Sequence, residues 1–435
     1  MTTSTHLLRQ RNFLPLFITQ MLGAFNDNLF KTAIVMHVVY SVFNSEAKEG
    51  AFSGFASTLF IIPFFLFSAL SGQLADLRDK AKIIRIVKSC EIGIMLVGAA
   101  GLLLAWKGIA VNLFALPLML AALFAMGVHS TFFGPIKYAI LPQHLKTEEV
   151  LAGTGLIEAG TYLAILAGTI LAGWIPVQWS AVGVVITAVV GYIAGRKVPP
   201  APAPSSGEPL DFHFIRASID LIRSTTHDRR VFEAILAISF FWAVGTVLFI
   251  QFPPLAKNVL HASKEVASLF LVIFSIGIAI GSVSINALLK GKVSARFSAV
   301  SVLVMGVFVV IFYLICRAWT QQAAEPAILG VADFLVHPLT APLLLTLLGI
   351  SISGGMFVVP LYAFLTTFVD ADQTARTIAA NNIINSGAMV GGALVAMGLS
   401  AIGLQLQEQI LLSAVLSIGS ALLAIQLYRS EKAAA

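Results

Sequence analysis

The first candidates for chemistry are polar residues inside a long apolar stretch near the N-terminus. Asp27 and Lys31 are four residues apart, which places them on one face of a helix, and Asn26 and Asn28 flank the carboxylate. A charge surrounded by hydrocarbon costs at least about 2.5 kcal/mol, so these residues are functional candidates. They could bind a charged group of a ligand, carry a proton, or form an internal ion pair that locks their helix to a neighbour.

Two further sites suit a charged ligand. Glu158 lies well inside a later apolar stretch, where it could face a cavity, bind a proton, or pair with Lys31 or Lys137. Gly134 and Pro135 predict the end of a helix, beyond which Lys137 and Tyr138 offer a cation and a phenol donor suited to phosphate. Anchoring at a membrane interface by the same lysine and tyrosine is an equally good explanation.

Other polar residues in apolar stretches favour structural roles. Lys88 and Glu91 form an i,i+3 pair, and Lys88 is expected to extend its ammonium group towards the membrane surface. His129 is expected to be a helix-contact residue. Three asparagines close to one face of a later helix suit hydrogen bonds between helices as well as ligand binding: Asn381, Asn382 and Asn385.

The elements that hold these residues are predicted to be membrane-spanning helices. Of the 435 residues, 58% are hydrophobic and 11% are charged, against about 25% charged residues in a typical soluble domain. So few charges cannot cover a water-facing surface, which excludes an ordinary soluble enzyme, a DNA-binding protein and a disordered regulator. The two cysteines, Cys90 and Cys316, predict neither a disulfide framework nor a metal site. No cofactor is predicted.

The spans can be counted because a spanning helix needs about 20 mostly apolar residues. Continuous apolar runs such as Phe60–Phe67 do not alternate as the strands of a membrane barrel do, so the predicted fold is an all-α membrane protein. Twelve transmembrane helices are predicted, over residues 13–41, 53–75, 83–106, 111–133, 149–174, 178–195, 231–252, 265–289, 296–316, 340–366, 374–403 and 408–428.

The distribution of basic residues predicts the orientation. With a cytoplasmic N-terminus, twenty of the 27 Lys and Arg residues fall in inner segments and five in outer loops, the remaining two lying within spans. The positive-inside rule therefore predicts that both termini are cytoplasmic. Since topology explains the excess of basic residues, no nucleic-acid partner is predicted.

The longest inner connection divides the twelve helices into two groups of six. Residues 1–195 are predicted to form the N-terminal six-helix bundle and residues 231–435 the C-terminal one, joined by a cytoplasmic linker over 196–230. The linker begins with a proline-rich segment, Pro199–Pro204. Apolar residues at helical spacing follow, which predicts an amphipathic helix on the inner membrane surface.

The loop after the second span carries a recognisable motif. It reads GQLADLRDKAK from Gly72 to Lys82, which resembles the signature G-x-L-A-D-[RK]-x-G-[RK]-[RK] of major facilitator transporters. This resemblance implies a gating motif that includes Gly72, Asp76 and Arg78, with Gly72 allowing close helix contact; Asp79 stands where the family has glycine. It also implies two six-helix halves with a substrate site between them near mid-membrane.

Three further stretches resemble the bacterial lysophospholipid transporter family, especially its branch fused to acyltransferase and acyl–carrier-protein synthetase domains: Gln20–Asn28, Phe132–Pro142 and Ala379–Asn385. The resemblance implies alternating-access movement of lysophospholipids across the bacterial inner membrane, from the outer to the inner leaflet, for re-acylation. A cytoplasmic acyltransferase or acyl-ACP synthetase is an implied partner. No histidine begins the acyltransferase signature H-x4-D, and no P-loop is present, so the chain is not expected to be an enzyme.

Ionisable residues deep in the predicted spans all lie in the first half, which predicts a cavity whose first half holds a charged headgroup and whose second half tolerates an acyl chain. Two alternatives remain open. A proton-coupled exporter of amphipathic drugs, or a small-metabolite carrier, would use Asp27 and Glu158 as proton-binding carboxylates. A non-transporting scaffold would bind a soluble acyltransferase through the 196–230 linker.

Overall fold

The computed structural model describes residues 4–134, 136–202, 213–225, 228–289, 294–322, 328–367 and 374–434. Within these ranges the chain is almost entirely helical, and its one β-type contact is an isolated bridge between Ala262 and Leu329. The predicted all-α fold is confirmed.

Twelve long helices coincide with the twelve predicted spans. They are α1 (Leu14–His37), α2 (Glu46–Leu77), α3 (Lys80–Trp106), α4 (Leu116–Phe133), α5 (Thr147–Trp174), α6 (Val177–Arg196), α7 (Arg229–Asn258), α8 (Lys264–Leu289), α9 (Ser298–Gln322), α10 (Thr340–Thr367), α11 (Thr374–Ala401) and α12 (Leu406–Ala434). Short π-helical turns extend α1 over Val38–Val42 and precede α4 over Val111–Ala115.

Ten helices of the described chain are long and apolar enough to cross a membrane. α1 falls short of that hydropathy because polar residues interrupt it, among them Asn26, Asp27, Asn28 and Lys31. In α5 the described apolar run covers only Leu163–Trp174. The helix that carries the first candidate residues is thus too polar to be identified as a span by hydropathy alone.

Two compact units make up the chain. Unit 1 consists of Met1–His37 and Leu66–Ala217, and unit 2 of Val38–Phe65 and Ser218–Ala435. The N-terminal part of α2 is therefore grouped with the second half of the sequence. The predicted division at 1–195, 196–230 and 231–435 stays a prediction. Pro63, which removes a backbone donor from the interior of α2, lies just before the point where α2 passes from one unit to the other.

In unit 1, α1 packs against α5 and α6, and α3 packs against α4 and α6. A glycine brings α5 close to α1: a Cβ atom on Gly168 would lie 2.5 Å from the carbonyl oxygen of Phe25 and 3.0 Å from the backbone nitrogen of Leu29. This close approach holds the turn of α1 that carries Asn26, Asp27 and Asn28.

The motif between α2 and α3 begins at Gly72. A Cβ atom on Gly72 would meet nothing within 4 Å among the described residues, and the close helix contact implied for this glycine stays a prediction. Arg78 is exposed just after α2, and the side chain of Asp76 lies outside the described part of the structure. Asp79 caps α3 by accepting a hydrogen bond from the Lys82 backbone nitrogen at 3.0 Å, which explains an aspartate at this position.

Unit 2 is organised around α7, in which 72% of the residues of the apolar 18-residue segment are buried. α7 packs against α11 and α12, while α8 and α9 both pack against α10. The amphipathic linker helix covers Phe214–Thr225 and exposes Ile215 and Ile219 beside Arg216, as the spacing predicts. Its placement on a membrane surface stays a prediction.

Two glycines allow a direct test of the α1–α5 contact. We expect Gly168→Ala to destabilise the protein by about 1–3 kcal/mol, because the new methyl group collides with backbone atoms of α1. Gly72→Ala, at an open helical position, is expected to be neutral or to stabilise by about 0.5–1 kcal/mol. Unfolding of the purified proteins in detergent measures both changes, and equal effects at the two positions would contradict the close contact.

Candidate functional site

A buried carboxylate, Glu91 of α3, has polar side chains from three helices close to its oxygens. Lys88 Nζ donates to its Oε2 at 2.6 Å, and Asn26 Nδ2 of α1 donates to its Oε1 at 2.7 Å. His129 Nε2 of α4 lies 3.3 Å from the same Oε2. All four side chains are buried. Lys88, Glu91 and His129 together are called the charge cluster below.

Lys88 does not reach for the membrane surface as expected, since its side chain is 0% exposed. Its ammonium group is accommodated by glycines: a Cβ atom on Gly23 of α1 would lie 2.9 Å from Nζ, and one on Gly191 of α6 would lie 3.6 Å away. The ring of Phe133 has its centroid 5.4 Å from Nζ. The ion pair with Glu91 and this fitted space replace the water that a lysine otherwise requires.

A line of polar atoms connects the charge cluster to Asp27. Ser130 Oγ donates to Asp27 Oδ2 at 2.6 Å, and His129 Nδ1 lies 3.4 Å from Ser130 Oγ. The other oxygen, Asp27 Oδ1, is buried and has no hydrogen-bond partner in the described structure. The same holds for Oδ1 of Asn26. Two acceptor oxygens on adjacent residues of α1 therefore lack donors.

The neighbouring candidates on α1 have different surroundings. Lys31, one turn beyond Asp27, interacts electrostatically with that carboxylate, as the spacing predicts. Asn28 donates its amide to the carbonyl oxygen of Ala24 at 2.8 Å, so this donor is used within α1. The structure thus brings Asn26, Asp27 and Lys31 into one electrostatic neighbourhood.

The other candidates are Glu158, Tyr138 and Lys137. The side chains of Glu158 and Tyr138 lie outside the described part of the structure. Lys137 is half-buried in a short helix, Ile136–Ala139, and has an interaction partner. Their assignment to a ligand stays a prediction.

In unit 2, two of the three candidate asparagines are buried. Asn385 Oδ1 accepts from Ser239 Oγ at 2.8 Å, and Asn385 Nδ2 donates to Tyr362 Oη at 3.2 Å, which confirms hydrogen bonding between helices at this position. Asn381 is fully buried, and neither atom of its amide has a partner in the described structure. Asn382 is exposed and does not share their environment.

A buried ion pair in unit 2 escaped the sequence analysis. Lys257 Nζ of α7 donates to Glu49 Oε1 of α2 at 2.6 Å, and to the carbonyl oxygens of Val39 and Phe43 at 2.6 and 2.9 Å. Asn258 Nδ2 donates to Glu49 Oε2 at 2.5 Å. Both charges of the pair are therefore saturated by protein partners.

The pair was missed because both residues lie outside the predicted spans. α7 continues through Pro253 and Pro254 to Asn258, and α2 begins at Glu46 rather than at residue 53. The available signal was the acidic pair Glu46 and Glu49, which is typical of the first turn of a helix.

The site offers hydrogen-bonding and charged groups to a ligand. No group of three His, Cys, Asp or Glu residues in the described ranges could hold a metal ion. Cys90 is exposed, Cys316 is buried, and neither forms a disulfide. What unit 1 presents is a carboxylate oriented by a serine and an amide oxygen beside it, an arrangement suited to a cationic hydrogen-bond donor.

The chain is similar to known membrane transporters. The family model of the Major Facilitator Superfamily matches residues 16–393. The chain is 25% identical over 388 residues to the lysophospholipid transporter LplT of Cronobacter sakazakii, covering 87% of this chain and 84% of the relative. It is also 25% identical over 378 residues to LplT of Klebsiella pneumoniae subsp. pneumoniae, covering 84% and 83%.

Solved structures share the fold at low sequence identity. A POT family transporter in complex with a thioalcohol-conjugated peptide has a TM-score of 0.70 at 11% identity, covering 97% of this chain and 96% of its own. A bacterial homologue of the human lysosomal transporter Spinster has a TM-score of 0.67 at 13% identity, covering 98% and 97%. These similarities confirm the predicted fold class.

The buried pair in unit 2 leads to a stability prediction. We expect Lys257→Met to destabilise the protein by about 3–5 kcal/mol, because it leaves the Glu49 carboxylate buried without a counter-ion. The double variant Glu49→Gln, Lys257→Met is expected to recover much of that loss. The matched control is Lys48→Met, which makes the same change at an exposed lysine next to the pair. Unfolding in detergent compares the three, and a Lys257→Met protein as stable as Lys48→Met would contradict the prediction.

Proposed function

The chain belongs to the Major Facilitator Superfamily, and on that premise we propose that it is a secondary transporter of lysophospholipids. It moves them by alternating access from the outer to the inner leaflet of the bacterial inner membrane, where a cytoplasmic acyltransferase or acyl-ACP synthetase re-acylates them. The chain itself transports without catalysing a reaction. The similarity to proteins named lysophospholipid transporter LplT, over more than four-fifths of both chains, supports this substrate class.

The observation that carries the proposal is the unbonded Oδ1 of Asp27. A buried acceptor without a donor is unfavourable by about 1–3 kcal/mol, and a donor brought by the substrate removes that penalty. The ammonium group of an ethanolamine headgroup supplies both the donors and the positive charge that a carboxylate prefers. The amide oxygen of Asn26 offers a second acceptor on the adjacent residue.

The remaining parts of a lysophospholipid fit the other candidates. Lys31 and Lys137 supply positive charge, and Tyr138 a phenol donor, for the phosphate. Glu158 offers a second carboxylate for the headgroup. In unit 2 the charges of Glu49 and Lys257 satisfy each other, so we assign the acyl chain to the apolar helices of that unit. Gly72, Asp76 and Arg78, at the end of α2 and just after it, stay the proposed gating motif.

One observation favours a second candidate function, a proton-coupled exporter of amphipathic drugs or a carrier of small metabolites. His129 has one ring nitrogen near Glu91 and the other near Ser130, which donates to Asp27. Histidine is the side chain best suited to exchange a proton near neutral pH. A proton that reaches Asp27 through this line would couple transport to a pH gradient.

The test uses the purified protein in liposomes that carry a fluorescent lysophospholipid in one leaflet, with its movement scored by quenching. We expect wild-type protein to accelerate flipping, and unlabelled lysophospholipid, but not an amphipathic drug, to compete. Asp27→Asn is expected to slow flipping at low substrate concentration by at least about tenfold, through loss of one charge-assisted bond. Asp333→Asn, at an exposed carboxylate outside the spans, is the matched control and should leave the rate unchanged.

Repeating the assay with a pH gradient separates the two candidate functions. A rate that is indifferent to the gradient supports lysophospholipid movement driven by its own distribution. No flipping by demonstrably folded wild-type protein, combined with gradient-dependent efflux of a drug, would overturn the proposal in favour of the exporter.

A further inference from the structure

Asp27 is held from two sides, and both connections begin at Glu91. The first is direct: Glu91 Oε1 accepts from the amide of Asn26, the residue that precedes Asp27 in α1. The second runs along α4: His129 Nε2 lies 3.3 Å from Glu91 Oε2 in an electrostatic contact that is not a hydrogen bond, His129 Nδ1 lies 3.4 Å from Ser130 Oγ, and Ser130 Oγ donates to Asp27 Oδ2. One connection fixes the turn of α1, and the other fixes the carboxylate itself.

The fit of Lys88 indicates that the helices pack around this arrangement. A Cβ atom on Gly23 of α1 would come within 2.9 Å of the ammonium group, and one on Gly191 of α6 would be in ordinary van der Waals contact with it at 3.6 Å. Gly23 precedes Asn26 by three residues, so Lys88 and the Asn26–Glu91 bond act on the same stretch of α1. The charge cluster therefore links α3, α4 and α6 to the part of α1 that carries the candidate headgroup site.

Other hydrogen bonds in unit 1 also join helices but do not reach Asp27. Ser71 Oγ of α2 donates to the carbonyl oxygen of Thr131 in α4 at 2.9 Å, and Gln20 Nε2 donates to Thr161 Oγ1 of α5 at 3.0 Å. Neither of these hydrogen bonds leads to a carboxylate. The charge cluster differs because its two connections end at a carboxylate with one oxygen bonded and the other left without a donor.

We propose that Glu91, with Lys88 and His129, is a positioning residue for headgroup recognition. Acting through Asn26 and through Ser130, the cluster orients Asp27 so that Oδ1 is presented to a cationic headgroup. This inference rests on the proposed function. It adds residues of α3 and α4 that touch no substrate and yet determine the preference for an ammonium-bearing headgroup.

The experiment compares two substrates in the liposome assay, lysophosphatidylethanolamine and lysophosphatidylglycerol, which differ in whether the headgroup carries an ammonium group. We expect Glu91→Gln and Ser130→Ala each to raise the half-saturating concentration of the ethanolamine lipid by about tenfold. The value for the glycerol lipid is expected to change little. Ser130→Thr, which keeps the hydroxyl, should restore the ethanolamine value, and Ser71→Ala, which removes a buried hydroxyl that does not reach Asp27, should alter neither.

Two features keep the test decisive. If Glu91→Gln fails to fold because Lys88 is left unpaired, Ser130→Ala alone still interrupts the connection to Asp27. In an Asp27→Asn background, Ser130→Ala and Glu91→Gln should not raise the half-saturating concentration of the ethanolamine lipid any further. They act through the carboxylate that this background lacks.

The outcomes separate this inference from the proposed function. A wild-type protein that moves neither lipid contradicts the proposed function itself. If the wild-type protein moves both lipids, three results would overturn the positioning role and leave the proposed function standing. The variants could raise the half-saturating concentrations of the two lipids equally, or lower only the maximal rate. They could also raise the half-saturating concentration of the ethanolamine lipid further in the Asp27→Asn background.

Discussion

Unit 1 depends on one requirement, that a charge removed from water must be paired inside the protein. Glu91 meets this requirement with Lys88 on its own helix, Asn26 on α1 and His129 on α4. Each partner lies on a particular helix, and the ammonium group of Lys88 also lies where a Cβ atom on Gly23 would come within 2.9 Å of Nζ. The placement of α1 against its neighbours therefore follows from the chemistry of a single carboxylate as much as from apolar packing.

Two acid–base arrangements of the described structure, Glu49 with Lys257 and Asp27 with Ser130, differ in whether they are complete. Glu49 in unit 2 has both oxygens bonded, and Lys257 uses its three donors on Glu49 and two backbone carbonyls. Asp27 in unit 1 has one bonded oxygen and one without a partner. A completed pair stabilises a structure and has no capacity left for a ligand. An incomplete one is where a substrate can contribute the missing donor, and this contrast is the physical basis for placing the headgroup at Asp27.

Sequence reasoning identified the fold and the principal candidate residue. Apolar length and the absence of alternation predicted the twelve helices, and the intramembrane polarity of α1 singled out Asp27. The interactions that orient Asp27 were not predictable, because they join residues about 65 and 103 positions apart and depend on helix packing that no local pattern encodes. The sequence places Lys88 at the membrane surface because an isolated lysine takes that position, whereas here Glu91 pairs with it and Gly23 of α1 leaves room for its ammonium group. Glu49 and Lys257 were missed because α2 and α7 extend beyond their apolar segments.

The most direct test of the central claim measures binding of two lipids, one with a charged ammonium group on the headgroup and one in which acetylation has removed that charge. Lysophosphatidylethanolamine and its N-acetylated derivative would each be titrated against wild-type protein and Asp27→Asn in detergent, following intrinsic tryptophan fluorescence or heat. The account predicts that the wild-type protein binds the ammonium form at least about tenfold more tightly and that this preference disappears in Asp27→Asn. Equal affinities in the wild-type protein, or a preference that survives in Asp27→Asn, would contradict it.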